Sequence, residues 1–198
     1  MPPALDDLTC QLDAGTDLDA AAVRAACDLL LDEQVPDLAK AGFLSALARK
    51  GESPAEIAAF VAALLSHAVD PGIDPGSLPG PLLDVCGTGG DRAGLFNVST
   101  AVMFVAAAAG GCVAKHGNRS ITSRSGGADV LEALGIPIHL TAAQARESLE
   151  RHGAAFLFAP DYHPAFKAVA GVRKQLAATG QRSVFNILGP LLLSLIHI

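Results

Sequence analysis

Apolar residues recur at helical spacing along the first 70 residues, where no run has the alternation typical of a strand. One stripe, at i, i+4, i+7 and i+8, consists of Val23, Cys27, Leu30 and Leu31. A clear helix start follows at Ser53, because its hydroxyl can accept from the backbone N–H of Glu56 while the glutamate side chain returns to the N–H of the serine. We therefore predict that residues 1–70 form a small helical domain.

The pattern changes after residues 71–81, whose density of proline and glycine predicts a hinge between two domains. Short apolar runs then alternate with helical patterns, which predicts an α/β fold with a parallel sheet covered on both faces. The predicted strands are 82–86, 112–115, 136–140 and 155–158, and the predicted helices are 99–109, 127–134 and 141–152. Residues 82–163 would form the first part of this α/β domain, 164–190 a helical segment that returns toward the small domain, and 191–198 an aberrant or truncated end.

Composition narrows the class of protein. With 51% hydrophobic and 17% charged residues, the chain can bury a sizeable core, which excludes a disordered protein. Its net charge of -6 disfavours a protein that neutralises nucleic-acid phosphates. No apolar run reaches the roughly 20 residues of a membrane helix, and the N-terminus lacks the features of a signal peptide. We therefore expect a cytoplasmic protein with no nucleic-acid or membrane partner, and with reduced, buried thiols at Cys10, Cys27, Cys86 and Cys112.

Two polar segments follow predicted strands. Residues 87–91 (GTGGD) contain three glycines in four positions, which allows backbone N–H groups to converge into an anion-binding nest, and Asp91 favours a phosphorylated sugar over bare phosphate. An ordinary strand-to-helix turn explains these glycines equally well. Residues 115–123 (KHGNRSITS) combine a lysine suited to phosphate with amide and hydroxyl groups. His116, taken alone, is more typical of a structural histidine than of a catalytic one.

Between these segments, residues 97–100 (NVST) open an alanine-rich helix. Ordinary capping by Ser99 or Thr100 is the simpler interpretation, but a helix start can also hold phosphate, and hydroxyl groups can bind phosphate or hydrated Mg²⁺. Loops after parallel strands meet at one edge of a sheet, so the two polar loops would lie side by side. The residues thus predict a phosphosugar or nucleotide site.

At this spacing GTGGD, NVST and KHGNRSITS resemble the anthranilate phosphoribosyltransferase family, as do AGFLSALARKGESPAEIAAF, SGGADVLEALGI and the stretch from Tyr162 to Pro190. The resemblance implies transfer of the phosphoribosyl group of 5-phosphoribosyl diphosphate (PRPP) to the amine of anthranilate, with release of diphosphate, in tryptophan biosynthesis. It also implies an α/β domain of the nucleoside phosphorylase and phosphoribosyltransferase type beside the small helical domain. Mg²⁺ would bind with the diphosphate, and the complete chain would form a homodimer.

The resemblance further implies a role for individual residues, none of them an acid or a base. Those implied to contact PRPP are Gly87, Gly90, Asp91, Asn97, Val98, Ser99, Thr100, Lys115, His116, Gly117, Asn118, Arg119, Ser120, Ile121, Thr122 and Ser123. Those implied to contact anthranilate are Gly87, Asn118 and Arg173, and Ser99 would also hold the metal ion.

The chain departs from the family pattern at Leu95, where a hydroxyl residue is usual, and after residue 190, where it reads LLLSLIHI in place of an Asn-Pro element and a later acidic pair that binds Mg²⁺. We therefore expect a truncated chain that is inactive alone. Two alternatives stay open. One is a pyrimidine nucleoside phosphorylase-like enzyme, against which KHGNR and Arg173 argue. The other is a non-catalytic relative that binds nucleotide or nucleic acid, against which the net charge argues.

Overall fold

A computed structural model of the chain describes residues 3–86, 96–120 and 125–192. They fall into two compact units, one of residues up to 68 together with 163–192, and the other of residues 69–162. None of the helices in these described ranges is long and apolar enough to cross a membrane.

In chain order the elements are α1 (Leu5–Asp13), α2 (Ala20–Leu31), α3 (Asp37–Lys50), α4 (Pro54–Leu65), a 3-10 turn (Pro75–Ser77), β1 (Leu82–Leu83), α5 (Val98–Ala108), β2 (Cys112–Gly117), α6 (Gly127–Ala133), α7 (Ala142–His152), β3 (Ala154–Phe158), α8 (Ala159–Tyr162), α9 (Pro164–Ala168), α10 (Ala170–Ala178) and α11 (Phe185–Leu192).

The first unit is a helical domain, as the sequence predicts. Helix α1 packs on α3, α2 packs on α4 and α9, and the later helices α10 and α11 pack on α3 and α4. Phe43 of α3 and Phe60 of α4 are fully buried in this core. The helical pattern predicted from residue 164 onward is interrupted at Val169, whose backbone (φ -102°, ψ 7°) ends α9 and begins α10.

The predicted start of α4 is confirmed, and it is also tied to the helix before it. The hydroxyl of Ser53 accepts from the N–H of Glu56 at 3.3 Å, and Glu56 Oε2 accepts from the N–H of Ser53 at 2.8 Å. The buried Glu56 carboxylate also accepts from Leu18 N at 2.9 Å and from Lys50 Nζ at 2.8 Å. Burial acts to raise the pKa of Glu56, but these hydrogen bonds outweigh it, so the pKa lies below its usual value.

The second unit is an α/β layer structure with a parallel sheet in the order β1-β2-β3. Leu82 pairs with Cys112, and Val113 pairs with Ala154. One face of the sheet packs on α5 and α6 through a cluster that includes Met103, Leu131 and Phe156. The other face packs on α7 through a cluster that includes Leu149 and Leu157. Covering both faces buries the strands, which explains why β3 is apolar and why the two basic side chains of β2, Lys115 and His116, are themselves buried near its carboxyl end.

Two expectations about this unit and the cysteines are wrong. Residues 136–140, predicted as a strand, have no place in the ladder, because Pro137 lacks an N–H and β3 occupies the position beside β2. Ile138 is instead buried against α5 and α6. Cys10 is exposed rather than buried, since it lies on the outward face of α1. Cys27 and Cys112 are buried as expected, whereas Cys86 is only partly buried.

Candidate functional site

The carboxyl ends of β1 and β2 lie side by side in the second unit. The strands are parallel neighbours, and the residues that follow β1 stay in contact with the end of β2, because Lys115 Nζ donates to the carbonyl oxygen of Val85 at 3.2 Å. The predicted loop residues Gly87, Gly90 and Asp91 lie outside the described residues.

Lys115 carries a buried positive charge at this edge of the sheet. Only 2% of the residue is exposed, and its ammonium donates to Ser99 Oγ at 3.0 Å as well as to Val85. Both acceptors are neutral, and the described residues provide no ion pair for this lysine. Burial lowers the pKa of Lys115, although the thiol of Cys86 and the carboxylate of Asp84 act in the opposite direction. A desolvated ammonium with neutral partners is suited to an anionic ligand.

The start of α5 supplies hydroxyl groups to the same place. Asn97 is the residue before the helix, and its carbonyl accepts from Thr100 N at 3.0 Å, so Ser99 and Thr100 lie inside the first turn and the prediction that one of them caps the helix is wrong. Val98 begins the helix. Asn97 Nδ2 donates to Ser125 Oγ at 3.0 Å, which joins α5 to the residues before α6.

Thr100 presents a polar atom that the described residues do not satisfy. Its Oγ1 is buried and has no hydrogen-bond partner among them. A Cβ at Gly127 would lie only 3.2 Å from that oxygen and 3.6 Å from Cε of Lys115, so glycine at this position allows α6 to begin close to both side chains. The hydroxyl of Thr100, the hydroxyl of Ser99 and the ammonium of Lys115 are thus brought together.

His116 has a different setting from its neighbours in the KHGNR segment. Its ring is fully buried, and Nδ1 lies 2.8 Å from Oδ2 of Asp84, which sits just after β1. The backbone N–H of His116 donates to the other oxygen of the same carboxylate at 3.4 Å. This pair joins the ends of β1 and β2, which fits the structural interpretation of the histidine. Asp84 was not singled out from the sequence, because its partner lies 32 positions away.

The segment after β2 is fastened to α6. Gly117 ends the strand, and the side chain of Asn118 accepts from Arg119 N at 2.7 Å. The Arg119 guanidinium forms an ion pair with both oxygens of Glu132 and lies over the ring of Phe158. The N–H of Ser120 donates to Asp129 at 3.0 Å. Ile121, Thr122 and Ser123 lie outside the described residues. Neither Asp129 nor Glu132 was predicted from the sequence, although an acidic residue in the first turn of a helix is a common capping signal.

The donor set determines what kind of metal site is possible. Within the described ranges there is no group of three or more histidine, cysteine, aspartate or glutamate side chains that could hold a metal ion. The hydroxyls of Ser99 and Thr100 are hard oxygen donors of the kind that Mg²⁺ accepts, and Mg²⁺ commonly takes most of its remaining ligands from substrate phosphates and water. Because Ser99 Oγ also lies 3.0 Å from the Lys115 ammonium, Mg²⁺ fits here only together with a phosphorylated ligand whose negative charge separates the two cations.

Arg173 belongs to the first unit, on α10. Its guanidinium lies over two aromatic rings, with Cζ 5.4 Å from the centroid of Phe166 and 5.7 Å from that of Phe185. Among the described residues it has no hydrogen-bonded or ion-paired partner. Burial lowers the pKa of Arg173. The geometry leaves the fork of the guanidinium available for a carboxylate, which is the group that its shape fits best.

Two family profiles match the chain in the order of its two halves. The profile of the glycosyl transferase family helical bundle domain matches residues 7–68, and that of the glycosyl transferase family a/b domain matches residues 79–197, more than half of the chain. The chain belongs to the glycosyl transferase family. Within this family it resembles anthranilate phosphoribosyltransferases, and the phosphorylase-like and non-catalytic alternatives are not favoured.

One such relative, from Methanosarcina acetivorans, is 49% identical over 185 residues, which is 91% of this chain and 47% of the relative. The crystal structure of the anthranilate phosphoribosyltransferase from Thermus thermophilus is 42% identical and matches with a TM-score of 0.76 over 94% of this chain and 55% of that chain. The enzyme from Saccharomyces cerevisiae in complex with PRPP and Mg is 31% identical and matches with a TM-score of 0.78 over 96% of this chain and 55% of that chain. This glycosyl transferase family chain therefore spans about half the length of the relatives it matches.

Proposed function

We propose that the α/β unit of this chain binds PRPP and that the chain forms part of an anthranilate phosphoribosyltransferase. The observation that carries the proposal is the buried ammonium of Lys115, which at the carboxyl edge of the sheet has only neutral partners, Ser99 Oγ and the Val85 carbonyl, within the described residues. The names of the relatives and the yeast complex with PRPP and Mg support the choice of ligand.

The residues at this edge would act on the leaving group. When the C1–O bond of PRPP breaks, negative charge grows on the departing diphosphate and positive charge grows on the ribose carbon. Lys115 would stabilise the diphosphate with its ammonium, and the hydroxyls of Ser99 and Thr100 would donate to phosphate oxygens or ligate Mg²⁺. Mg²⁺ held by these hydroxyls together with the diphosphate would neutralise part of the leaving-group charge.

The second substrate would be held by Arg173. Its guanidinium, already oriented by the rings of Phe166 and Phe185, would bind the anthranilate carboxylate through two parallel hydrogen bonds. The amine of anthranilate is neutral at pH 7, so its lone pair can form the new C–N bond without a strong base, and the amine then gives one proton to solvent. The reaction then needs only that the amine meet the ribose carbon and that water be kept away from it.

The resemblance extends the proposal in three respects. We propose that the complete enzyme is a homodimer, that it acts in the cytoplasm, and that residues 71–81 connect its two domains as a hinge. The separate matches of the two family domains, to residues 7–68 and 79–197, support a boundary in this region.

Ligand binding tests the proposal on the chain as it is. We expect PRPP with Mg²⁺ to raise the melting temperature of the chain by several degrees, whereas thymidine with phosphate should have no effect. An Arg173→Leu variant should keep this response to PRPP and should lose the binding of anthranilate, measured by quenching of its fluorescence with PRPP present. The proposal would be refuted if PRPP left the melting temperature of the wild-type chain unchanged, or if thymidine with phosphate raised it equally.

A further inference from the structure

The residues that directly follow β2 lie against the residue that precedes α6. Gly126 lies against the backbone of residues 118–120, because a Cβ at this glycine would be 2.5 Å from the nitrogen of Ser120 and 2.7 Å from the carbonyl oxygen of Asn118. No side chain fits in that space. The two ends of the segment between Asn118 and Gly126 therefore touch each other, and a glycine at residue 126 is required for the contact.

A single carboxylate oxygen holds both ends. Oδ2 of Asp129 accepts from the N–H of Ser120 at 3.0 Å and from the N–H of Gly126 at 2.6 Å. The hydrogen bonds from Gly126 and Ser120 lower the pKa of Asp129, so the side chain stays ionised and both hydrogen bonds are charge-assisted. The Arg119 guanidinium, which pairs with Glu132 one turn later in α6, lies 3.7 Å from the other Asp129 oxygen.

We propose that Asp129 is a positioning residue for phosphate binding: it holds the backbone of residues 118–120 against Gly126 before the ligand arrives. This inference rests on the proposed function, because Asn118 and Ser120 are among the residues expected to contact PRPP. Without the carboxylate, these two residues would have to be ordered at the moment of binding, and the entropy cost would appear as weaker affinity. Asp129 itself needs no contact with the ligand.

The first test is independent of any ligand. In the Asp129→Ala variant the amides of Ser120 and Gly126 should exchange with deuterium at least tenfold faster, measured by NMR, while amides within β2 and α7 keep their rates. Asp129→Asn retains an acceptor oxygen without the charge and should give intermediate exchange. Glu147→Ala is the matched control, because it removes one acidic side chain from an exposed pair on α7 and should change neither amide. Unchanged exchange at Ser120 and Gly126 in the alanine variant would overturn the inference.

The second test measures the consequence for binding. The Kd of PRPP with Mg²⁺, from calorimetry, should rise about tenfold in Asp129→Ala, which corresponds to about 1.4 kcal/mol, and by less in Asp129→Asn. The Glu147→Ala control should stay within twofold of the wild type. Binding by the wild type with an equal Kd in Asp129→Ala would overturn this inference alone. A wild type that does not bind PRPP would overturn the proposed function and this inference together.

Discussion

Replacing Lys115 by methionine should change the stability of the free protein and its affinity for PRPP in opposite directions. The two side chains have similar length and volume, so the substitution removes the charge without opening a cavity. The ammonium it removes is buried and has two neutral acceptors, Ser99 Oγ and the Val85 carbonyl, within the described part of the chain. In the free protein this charge therefore lowers the stability of the fold, whereas in the complex with an anionic ligand it strengthens binding.

The magnitudes follow from the surroundings of the ammonium. Burying a charge without a direct ion-pair contact is unfavourable, and the carboxylate of Asp84 reduces this penalty without forming such a contact among the described residues. The loss of two hydrogen bonds to neutral oxygens offsets part of the stability gained when the charge is removed. We expect Lys115→Met to be as stable as the wild type or up to about 2 kcal/mol more stable at pH 7. A charge-assisted contact with buried phosphate contributes about 3 kcal/mol, so the affinity for PRPP should fall roughly 100-fold.

The pH dependence of stability gives a check on the cause. Burial lowers the pKa of Lys115, so the folded protein binds this proton less tightly than the unfolded chain does. The stability of the wild type should therefore rise as the pH increases from the lowered pKa toward the ordinary lysine value of about 10.4. The methionine variant lacks this rise. The difference in stability between the two proteins should therefore shrink at alkaline pH.

The assay pairs urea unfolding at several pH values with calorimetric titration of PRPP and Mg²⁺. Lys167→Met serves as the control, because it makes the same chemical change at an exposed position of α9 and should alter neither quantity by much. A Lys115→Met protein destabilised by more than 2 kcal/mol that binds PRPP as the wild type does would show that the lysine is a structural residue and that the reasoning is wrong.

Three further experiments test the packing and the electrostatics described above. Glu56→Gln should lower the free energy of unfolding by about 3 kcal/mol at pH 7, because it places an amide against three donors. The difference in stability from the wild type, measured by urea unfolding, should shrink as the pH drops below about 4. Met103 is buried under the sheet, so Met103→Ala should lower the free energy of unfolding by about 2–4 kcal/mol. Val105 on the same helix is 69% exposed, so Val105→Ala should lower the free energy of unfolding by less than about 1 kcal/mol. Iodoacetamide should alkylate the exposed Cys10 well before Cys27, because burial raises the pKa of Cys27 to about 12, and a mass spectrum showing the reverse order would contradict the burial assigned to them.

The parts of the fold that could be predicted from the sequence are those fixed by local patterns. Capping of α4 by Ser53 depends on a neighbour three residues away, and this prediction is confirmed. Thr141 caps α7 in the same way, within the predicted helix 141–152. The meeting of the ends of β1 and β2 follows from the topology of any parallel pair, so it too could be predicted. Residues 136–140 show where local pattern fails, because alternation of apolar residues does not reveal whether a neighbouring strand has room for another.

The parts of the site that could not be predicted depend on partners distant in sequence or on backbone groups. Asp84 acquires its role only when β1 and β2 pair and His116 comes within reach. Asp129 accepts from backbone N–H groups at residues 120 and 126, and a sequence does not show which way a backbone N–H points. Asn97, Ser99 and Thr100 are all common capping residues with similar preferences, so the sequence could not decide which of them caps α5.

The same pairings explain how an acidic chain can carry a site for a highly anionic ligand. The net charge is -6, but the described carboxylates nearest this edge of the sheet are matched by positive or donating groups. The carboxylate of Asp84 is hydrogen-bonded to His116, and that of Asp129 accepts hydrogen bonds from two backbone N–H groups. Glu132 is paired with Arg119. The ammonium of Lys115, by contrast, has only neutral oxygens as hydrogen-bond partners among the described residues, so its charge is not matched by a bonded carboxylate. At the distances over which a phosphate contacts protein, these pairings matter more than the total charge, whose effect is screened beyond roughly 8 Å at physiological salt.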